Sequence, residues 1–452
     1  MQIQATIMAR NNRGFHEMNR YITPFIHDNK PFPSVLPHFS NCWVFYPINN
    51  ALTRPLLSHE FYQIDLRQLA NWEIRYASKF ERNKVVLLSP MLFKTKRDFN
   101  KHRLLRAIHH NVLLSKLSPE WHATGQERLL SRCELEALCG GYLDFWERTQ
   151  QCMQDCLVSF AFGEEALPQN PASYTGSKSM DEQLLRKLCA EGLSYRYPTL
   201  NDEIVERIEK EIALIAQKDY LSYFLIAWDF TSYARSRGFF YVGRGSGANS
   251  IVAYLLRITD VDPLELDLYF ERFINLYRKN PPDFDIDFSW KDRDEVVRYI
   301  FEKYPHAAWL CTYNTFQFKA TVRELGKVFG LPKTEIDKLS KRNTSSQSLD
   351  SISALVLRYA AYLQDMPSHL SVHSGGIVIS EKPITWFSAT FMPPKGFPTT
   401  QFSMLEAEDV GLYKFDVLSQ RGLGKIRETL DVIAYNQPNA YVEDIQIGRA
   451  HV

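Results

Sequence analysis

The sequence predicts a multidomain protein that combines α/β and α+β domains. Its 452 residues are enough for roughly two to four domains, each with its own core. Residues 1–150 alternate short apolar stretches with helical patterns, which is typical of an α/β domain. After a loop-like stretch at 167–180, helical periods lead into a strand, a glycine-rich turn, a helix and an acidic strand. We therefore expect at least two domains of different architecture.

The composition is that of an ordinary soluble globular protein. Hydrophobic residues make up 45% of the chain, charged residues 23%, and the net charge is only +1. Any surface for nucleic acid must therefore be local. No apolar run is long enough to span a bilayer, so we expect no membrane association. The 7 cysteines form no paired CxxC sets, which argues against a zinc ribbon or a disulfide framework and predicts a cytoplasmic protein.

The secondary structure is predicted from short patterns. In the N-terminal region, "CWVFYPI" and "KVVLLSPMLF" indicate strands, and "RDFNKHRLLRAIHHNVLLSKL" indicates a helix. Farther on, "MDEQLLRKLCAEGLSYRY" predicts one helix and residues 201–238 predict another. Asn201 is the expected N-cap of that second helix, and Gly238 is its expected end.

A glycine-rich turn follows. In "FFYVGRGSGANSIVAYLLRI" a strand leads into glycines 243, 245 and 247, and a helix is expected to start near Asn249 or Ser250. Backbone amides at such a turn, together with a helix N-terminus, can bind an anion. The pattern is neither the phosphate loop of NTPases nor GxGxxG. A plain strand-to-helix turn with a Ser or Asn cap explains it equally well.

An acidic strand is the strongest chemical signal in the sequence. In "PPDFDIDF", Asp283, Asp285 and Asp287 alternate with apolar residues, so their carboxylates share one face of a strand. Like charges on one face repel, and aspartate is uncommon in strands. A solvated edge fits poorly with the flanking prolines and aromatics, and a DxDxDG calcium loop fails because Phe288 stands where glycine is required. The pattern favours one or two Mg²⁺ ions, as used in phosphoryl transfer.

Other charged residues could complete this site. In "GLYKFDVLSQRGL", Lys414 and Asp416 fall on the same side of a predicted strand, and Asp416 could supply a further carboxylate. The segment between turn and acidic strand contains Arg272 and Arg278, which are within reach of either.

A basic stripe lies on the predicted helix "FQFKATVRELGKVFGLP". The basic residues are four apart: Lys319, Arg323 and Lys327. The apolar residues fall on another face: Phe318, Val322, Leu325 and Phe329. Such a stripe is usually an ordinary solvated face, but beside a phosphoryl-transfer site it could contact a nucleic-acid backbone.

Several motifs together resemble the C-family DNA polymerases, the bacterial replicative DNA polymerase III alpha subunits. Three segments resemble the palm of that family: "GRGSGANSIVAYLLRITDVDPLELDLYFERFIN", "PPDFDIDF" and "RDEVVRYIFEKY". The later "VHSGGIVIS", "TTQFS" and "YKFDVL" follow in the order of the family. The resemblance extends from about Met8 to about Ile433.

The resemblance implies a domain organisation. It predicts the remnant of a polymerase-and-histidinol-phosphatase (PHP) α/β domain at 1–152 and a small helical thumb at 315–371. The palm, similar to that of the β-type nucleotidyltransferases, would comprise 153–314 and 372–421, and the fingers would begin at 422–446. The last six residues, "IGRAHV" at 447–452, are interpreted as a sequencing or cloning scar.

The resemblance also implies roles for individual residues. The catalytic, metal-binding carboxylates would be Asp283, Asp285 and Asp416, with two Mg²⁺ ions for which Mn²⁺ can substitute. The nucleotide phosphates would be bound by Gly245, Ser246, Arg272 and Lys414. The DNA backbone would be bound by Lys319, Arg323 and Lys327. Asp287 would be a supporting residue, and His373 is given no role.

The implied function is template-directed transfer of a deoxynucleotide to a primer 3′-hydroxyl in DNA replication. Implied partners are primer–template DNA, dNTPs and, in a full-length protein, the sliding clamp and replisome subunits. The PHP ligand motifs depart from the family: no HxH start is found, and "LLSPMLFKTKRDF" has no histidine where the last motif is expected. We therefore expect no PHP phosphoesterase or exonuclease activity, and we expect a fragment that is inactive alone because the fingers are incomplete.

Two alternatives remain open from the residues themselves. A Rossmann-type nucleotide-binding enzyme could use the glycine turn and an acidic residue such as Asp260 for a ribose, but it leaves the acidic strand unexplained. A non-catalytic nucleic-acid-binding scaffold is the other. A polymerase palm should bind Mn²⁺ and dNTP together, whereas a scaffold should bind DNA without metal.

Overall fold

The computed structural model describes residues 3–50, 52–275, 283–341 and 349–438. They form a mixed α/β protein that is divided into two compact units. The first unit comprises Met1–Met18, Pro31–Val158 and Tyr313–Leu370. The second unit comprises Asn19–Lys30, Ser159–Thr312 and Ser371–Val452. Arg278 and the 447–452 segment lie outside the described residues.

The strands of the described residues are, in chain order, β1 (Thr6–Ala9), β2 (Cys42–Pro47), β3 (Glu60–Ile64), β4 (Val85–Leu87), β5 (Tyr241–Arg244), β6 (Asp285–Ser289), β7 (Ala307–Thr315), β8 (Pro367–Ile379), β9 (Thr390–Phe391), β10 (Thr399–Thr400) and β11 (Lys414–Gln420). The α-helices are α1 (Asn12–Asp28), α2 (Leu66–Leu69), α3 (Lys96–His110), α4 (Arg132–Cys139), α5 (Leu143–Gln154), α6 (Lys178–Arg196), α7 (Asp202–Gln217), α8 (Leu221–Ser236), α9 (Ile251–Leu255), α10 (Arg293–Lys303), α11 (Phe318–Phe329), α12 (Lys333–Leu339), α13 (Ser351–Leu363), α14 (Met404–Asp409) and α15 (Arg421–Asn436).

The first unit contains a 4-stranded sheet in the order β1-β2-β3-β4. β1 is antiparallel to β2, whereas β2, β3 and β4 are parallel to one another. The predicted strands "CWVFYPI" and "KVVLLSPMLF" correspond to β2 and β4. Phe45 and Val86 of this sheet pack against Cys152 of α5.

A helical cluster also belongs to the first unit. Leu104 and Ala107 of α3 share a core with Val322 and Leu325 of α11 and with Val356 of α13. The predicted apolar face of the basic helix therefore packs into this core, as amphipathic spacing requires. Residues from the predicted thumb range, 315–371, and from the predicted PHP-like range, 1–152, share one compact unit.

The second unit is built on a 7-stranded mixed sheet in the order β5-β6-β11-β8-β7-β10-β9. β6 is antiparallel to β5 and parallel to β11, and β11 is antiparallel to β8. Helices α6 to α10 contribute to a single apolar core with the inward-facing residues of this sheet, such as Ile286, Phe288 and Phe415. β11, the last strand within the described residues, is thus an inner strand of the sheet.

The region 201–238 forms two helices instead of the single predicted one. Asn201 does cap α7, since its side chain accepts a hydrogen bond from the Ile204 N–H. The helix ends at Gln217, and Asp219 adopts a left-handed conformation with φ 59°. The Asp219 N–H donates to Ala216 O and the Tyr220 N–H to Ile215 O, which is a Schellman C-terminus. Apolar periodicity continues through this turn, which is why the pattern conceals it.

The other local expectations near the glycine turn are met. Ser250 caps α9, because its side chain accepts a hydrogen bond from the Ala253 N–H. Gly238 follows the end of α8 in a left-handed conformation, with φ 69°.

Across the described ranges, no helix combines the length and the apolar character needed to cross a lipid bilayer.

Candidate active site

The parallel pairing of β6 with β11 brings distant carboxylates together. Asp285 and Asp416 are direct partners across the two strands. Because side chains alternate along a strand, Ile286 and Val417 point to the core while both aspartates point to the opposite face. The predicted acidic strand begins at Asp285, and Asp283 lies two residues before it on the same face.

Tyr223 of α8 contacts the residues that directly precede Asp285 of β6 and Asp416 of β11. Its ring stacks on Phe284 at 5.6 Å and on Phe415 at 4.4 Å, the residues that precede Asp285 and Asp416. Its hydroxyl donates a hydrogen bond of 2.8 Å to the Lys414 carbonyl. An aromatic residue buried between both strands fixes their register from the helical side.

Lys414 lies between two of the carboxylates. Its Nζ is 3.2 Å from Asp283 Oδ1 and 2.5 Å from Asp416 Oδ2. Burial acts to lower the pKa of Lys414, but Asp283 and Asp416 outweigh it and the pKa is raised. The side chain is therefore a buried ammonium that neutralises both aspartates.

Arg244 neutralises the other two carboxylates, those of Asp285 and Asp287. Its Nη1 is 3.2 Å from Asp285 Oδ2, and its Nε donates a 2.8 Å hydrogen bond to Asp287 Oδ2. Asp287 also accepts a 3.4 Å hydrogen bond from Gln420 Nε2. Sequence reasoning missed Arg244. A partial signal was present, because Arg244 lies at the end of the predicted strand beside the turn, but its place opposite Asp285 depends on the antiparallel pairing of β5 with β6.

Two oxygens of this cluster have no partner. Asp416 Oδ1 and Asp287 Oδ1 are buried without a hydrogen bond among the described residues. Burial, together with the charges of Asp416 and Asp283, raises the pKa of Asp285 against the opposing effect of Arg244 and Lys414. Buried carboxylate oxygens left unpaired are costly, and a divalent cation relieves that cost.

His373 closes the Asp416 side of the site. Its Nδ1 accepts hydrogen bonds from the Gly375 and Gly376 N–H groups, and burial lowers its pKa, so the ring is neutral at pH 7. The same nitrogen is 3.9 Å from Asp416 Oδ1. A neutral acceptor does not satisfy that oxygen, and His373 instead holds the β8 backbone in place opposite Asp416.

The glycine turn adjoins Asp285. Gly245 has φ 74°, and a Cβ at this position would lie 3.1 Å from Asp285 Oδ2. Both the left-handed backbone and the closeness of the carboxylate require glycine here. Gly245 is exposed and Ser246 is half-buried, so both are accessible beside the carboxylates.

The remaining predicted site residues within the described ranges are exposed side chains on other elements. Arg272 ends the short helix Phe270–Arg272 and is exposed. Among the described ion pairs, none joins Arg272 to the aspartates. On α11 of the other unit, Lys319, Arg323 and Lys327 are all exposed. Arg323 lies 3.6 Å from Asp337 and Lys327 lies 2.7 Å from Glu324, so acidic neighbours partly neutralise the stripe.

The first unit holds a buried carboxylate of a different kind. Glu60 of β3 receives both terminal nitrogens of Arg54, at 2.6 and 2.7 Å. The Leu57 N–H donates to it at 2.8 Å and the Tyr46 hydroxyl at 3.4 Å. Burial acts to raise the pKa of Glu60, but Arg54 and Leu57 lower it further than burial raises it. This carboxylate is fully paired.

The carboxylates of the second unit are not arranged as a ready metal cluster. Within the described ranges, no group of three or more His, Cys, Asp or Glu side chains is placed to hold a metal ion. Lys414 and Arg244 instead lie among the aspartates. Metal binding would require these cations to give way.

The chain is similar to known DNA polymerases. Residues 183–419 match the family model of the bacterial DNA polymerase III alpha NTPase domain. The chain is 33% identical over 377 residues to the error-prone DNA polymerase of Symbiobacterium thermophilum, covering 77% of this chain and 34% of that protein. It is 36% identical over 301 residues to DNA polymerase III subunit alpha of Bacillus subtilis, covering 62% and 27%. With the corresponding subunit of Escherichia coli K12 it shares 32% identity over 381 residues, covering 77% and 32%.

The chain thus spans about a third of the length of the curated relatives that it matches. The matched residues include the glycine turn, the acidic strand and β11 up to Ser419, the elements that form the candidate site. The predicted resemblance is confirmed. The chain belongs to the bacterial DNA polymerase III alpha family.

Proposed function

We propose that this chain carries the palm of a template-directed DNA polymerase, which transfers a deoxynucleotide to a primer 3′-hydroxyl. The observation that carries this proposal is the register of β6 with β11, which pairs Asp285 with Asp416 and leaves Asp416 Oδ1 buried and unpaired. Purely structural carboxylates are normally satisfied, so an orphaned oxygen is suited to a ligand.

The aspartates would supply ligands for the divalent ions that such a reaction uses once Lys414 and Arg244 move away from them. Asp283, Asp285 and Asp416 would hold two Mg²⁺ ions, because hard cations prefer carboxylate oxygens. When bound, such ions supply charge that activates the primer hydroxyl and stabilises the leaving pyrophosphate. Burial raises the pKa of Asp285, and the charges of Asp416 and Asp283 add to that effect, so a bound cation would favour its charged form.

The neighbouring residues would bind the incoming nucleotide. Gly245 and Ser246 offer an accessible turn directly beside Asp285. Lys414 and Arg244 neutralise the aspartates in the structure, and both would bind triphosphate oxygens if divalent ions neutralised the aspartates instead. Arg272 would bind a phosphate after a movement of its exposed side chain. In this proposal, Lys414 and Arg244 exchange their aspartate partners for phosphate oxygens, so neither positive charge is left unpaired.

The finer organisation follows the same proposal. Residues 1–152 would be a PHP-like remnant without phosphoesterase activity, 315–371 the thumb, and 422–446 the start of the fingers. Lys319, Arg323 and Lys327 would contact the backbone of primer–template DNA. The whole protein would work in the cytoplasm with the sliding clamp and replisome subunits.

Binding of a fluorescent dNTP with Mn²⁺ tests the proposal. We expect the unaltered chain to bind the nucleotide only with Mn²⁺ present and Asp285→Asn to lose that binding. Asp409→Asn is a matched control, because Asp409 is an exposed aspartate on α14 of the same unit. Binding of duplex DNA without any metal-dependent dNTP binding would contradict the proposal and favour a nucleic-acid-binding scaffold.

A further inference from the structure

A buried ion pair on α7 lies outside the carboxylate site. Arg207 and Glu211 are one helical turn apart, and Arg207 Nε is 2.7 Å from Glu211 Oε1. The side chain of Glu211 is 0% exposed and that of Arg207 is 17% exposed. Most of their contacts are with residues outside α7, which indicates a role beyond helix stability.

Glu211 binds the residues that directly follow the glycine turn. Its Oε2 accepts hydrogen bonds from Ser250 Oγ at 2.8 Å and from the Val252 N–H at 3.3 Å. Its Oε1 accepts one from the Ile251 N–H at 3.2 Å. The carboxylate therefore fixes the point where the turn of Gly245 and Ser246 enters α9.

Arg207 joins this turn to a second segment. Its Nη2 donates hydrogen bonds to the Asn249 carbonyl at 3.1 Å and to the Leu268 carbonyl at 3.0 Å. Its guanidinium also lies over the Phe270 ring, 5.8 Å from the centroid. Leu268 precedes the short helix that begins at Phe270 and ends at Arg272. One guanidinium thus sets the distance between the two segments to which we assign the nucleotide phosphates.

The chemistry of the pair is unusual for a structural element. Burial raises the pKa of Glu211 to about 7 although Arg207 and Ser250 oppose it, so the carboxylate is held at a cost. Apolar residues of similar volume often give equal or greater stability than a buried ion pair. What an apolar pair cannot do is bind the backbone of two segments at once, because it has no donors or acceptors.

We propose that Arg207 and Glu211 are positioning residues for nucleotide binding. They hold the turn with Gly245 and Ser246 and the segment with Arg272 at a fixed spacing, so that both segments bind the phosphates of one nucleoside triphosphate. The inference rests on the proposed function. It further implies that the pair matters more for a triphosphate, which can reach both segments, than for a monophosphate.

The test measures Mn²⁺-dependent binding of a dNTP and of the matching dNMP by the whole chain, with the thermal midpoint of each variant. The main variant is Arg207→Met/Glu211→Met, which removes the polar pair but keeps an apolar filling. Glu211→Gln and Arg207→Lys follow as milder changes. The matched control is Glu209→Gln on the same helix, because Glu209 is 58% exposed and pairs with Arg186 at the surface.

We expect the double variant to keep its thermal midpoint, to bind dNTP about 10- to 100-fold more weakly, and to bind dNMP nearly as before, since small displacements of binding groups have effects of this size. Arg207→Lys should recover part of the dNTP affinity. The control should match the unaltered chain.

Unchanged dNTP affinity in the double variant overturns the inference, as does an equal loss for dNTP and dNMP. If the double variant does not fold, Glu211→Gln and Arg207→Lys are measured in its place. Unchanged dNTP affinity, or an equal loss for dNTP and dNMP, then overturns the inference in the same way. Failure of the unaltered chain to bind dNTP with Mn²⁺ would instead overturn the proposed function, and the inference with it.

Discussion

Glu60 in the first unit and Asp416 in the second are both buried carboxylates on β-strands, yet their surroundings differ. Both oxygens of Glu60 are paired, chiefly with Arg54. Asp416 has one oxygen on Lys414 and one without a partner. Burial is similar for the two side chains, at 1% and 8% exposed, so burial does not cause the difference.

The comparison separates two uses of a buried charge. A carboxylate that only stabilises a fold is satisfied by the protein alone, as Glu60 is. A carboxylate that must bind a ligand keeps an oxygen available and carries the cost of that oxygen in the folded state. We expect the two residues to respond in opposite ways to the same substitution.

The largest effect should be on metal binding. Asp416→Asn should lower Mn²⁺ affinity at least about 100-fold, because it removes a proposed direct ligand, and even supporting residues of metal sites contribute about 10- to 100-fold. Glu60→Gln should leave Mn²⁺ affinity unchanged. Titration of Mn²⁺ followed by electron paramagnetic resonance measures both. Full metal affinity in Asp416→Asn would remove the proposed distinction.

The free energy of unfolding should fall in Glu60→Gln but not in Asp416→Asn. Glu60→Gln weakens the bidentate pair with Arg54, which is 34% exposed and partly screened by solvent, and should reduce the free energy of unfolding by about 1–2 kcal/mol. Asp416→Asn removes repulsion from Asp285 and should leave the free energy of unfolding unchanged or slightly raised. Urea unfolding measures both variants, with Asp409→Asn as the neutral reference. A clear loss of stability in Asp416→Asn would mean that this carboxylate is structural too.

The pH dependence should differ in sign between Glu60 and Glu211. The pKa of Glu60 is lowered by folding, so its stabilising contribution is present above its ordinary pKa of 4.5 and is lost as the pH falls through the folded value. The pKa of Glu211 is raised to about 7, so its contribution is present below 4.5 and is lost as the pH rises through about 7.

Each effect should be on the order of 1 kcal/mol for each unit by which the pKa moves. The difference in unfolding free energy between the unaltered chain and Glu60→Gln or Glu211→Gln, followed from pH 3 to about 8, checks both signs. If both differences in unfolding free energy changed with pH in the same direction, Arg207 would stabilise the charged form of Glu211 as strongly as Arg54 stabilises that of Glu60.

The smallest effect concerns the exposed charges of α11. Changing Lys319, Arg323 and Lys327 to Gln should reduce the salt dependence of duplex binding by up to ~3 in the slope of log K against log salt, less where Asp337 and Glu324 already neutralise them. Metal and nucleotide binding should be unaltered. Changing Lys79, Lys94 and Lys96 to Gln is the control for net charge. A slope equal to that control would make the stripe an ordinary solvated face.

Local patterns predicted much of the site because its residues alternate along strands. Lys414 and Asp416 were expected on one side of a strand, and they contact each other. The partnership of Asp416 with Asp285 depends on pairing between strands far apart in sequence, which no local period contains. That partnership was expected from the family resemblance and from the need for a further carboxylate.

The residues that were missed show what local patterns leave out. Glu211 falls on the same helical face as Ile204, Ile208 and Ile215, and a charged residue on an apolar face is a signal of a buried role. Asp219 interrupts a continuous apolar period, and only its left-handed backbone reveals the break. Both depend on tertiary contacts that select one conformation among several that the sequence permits.

The central position of β11 determines when this site can exist during folding. β11 follows both β6 and β8 along the chain, yet it lies between them in the sheet, so neither neighbour can complete its hydrogen bonding until it inserts. Such long-range pairing is slow, and open strand edges invite association with other chains meanwhile. An insertion shifted by one residue would turn Phe415 or Val417 toward Asp285 and send Asp416 into the core. We expect refolding to be limited by this late insertion, so that nascent chains depend on protection of these edges until the register is set.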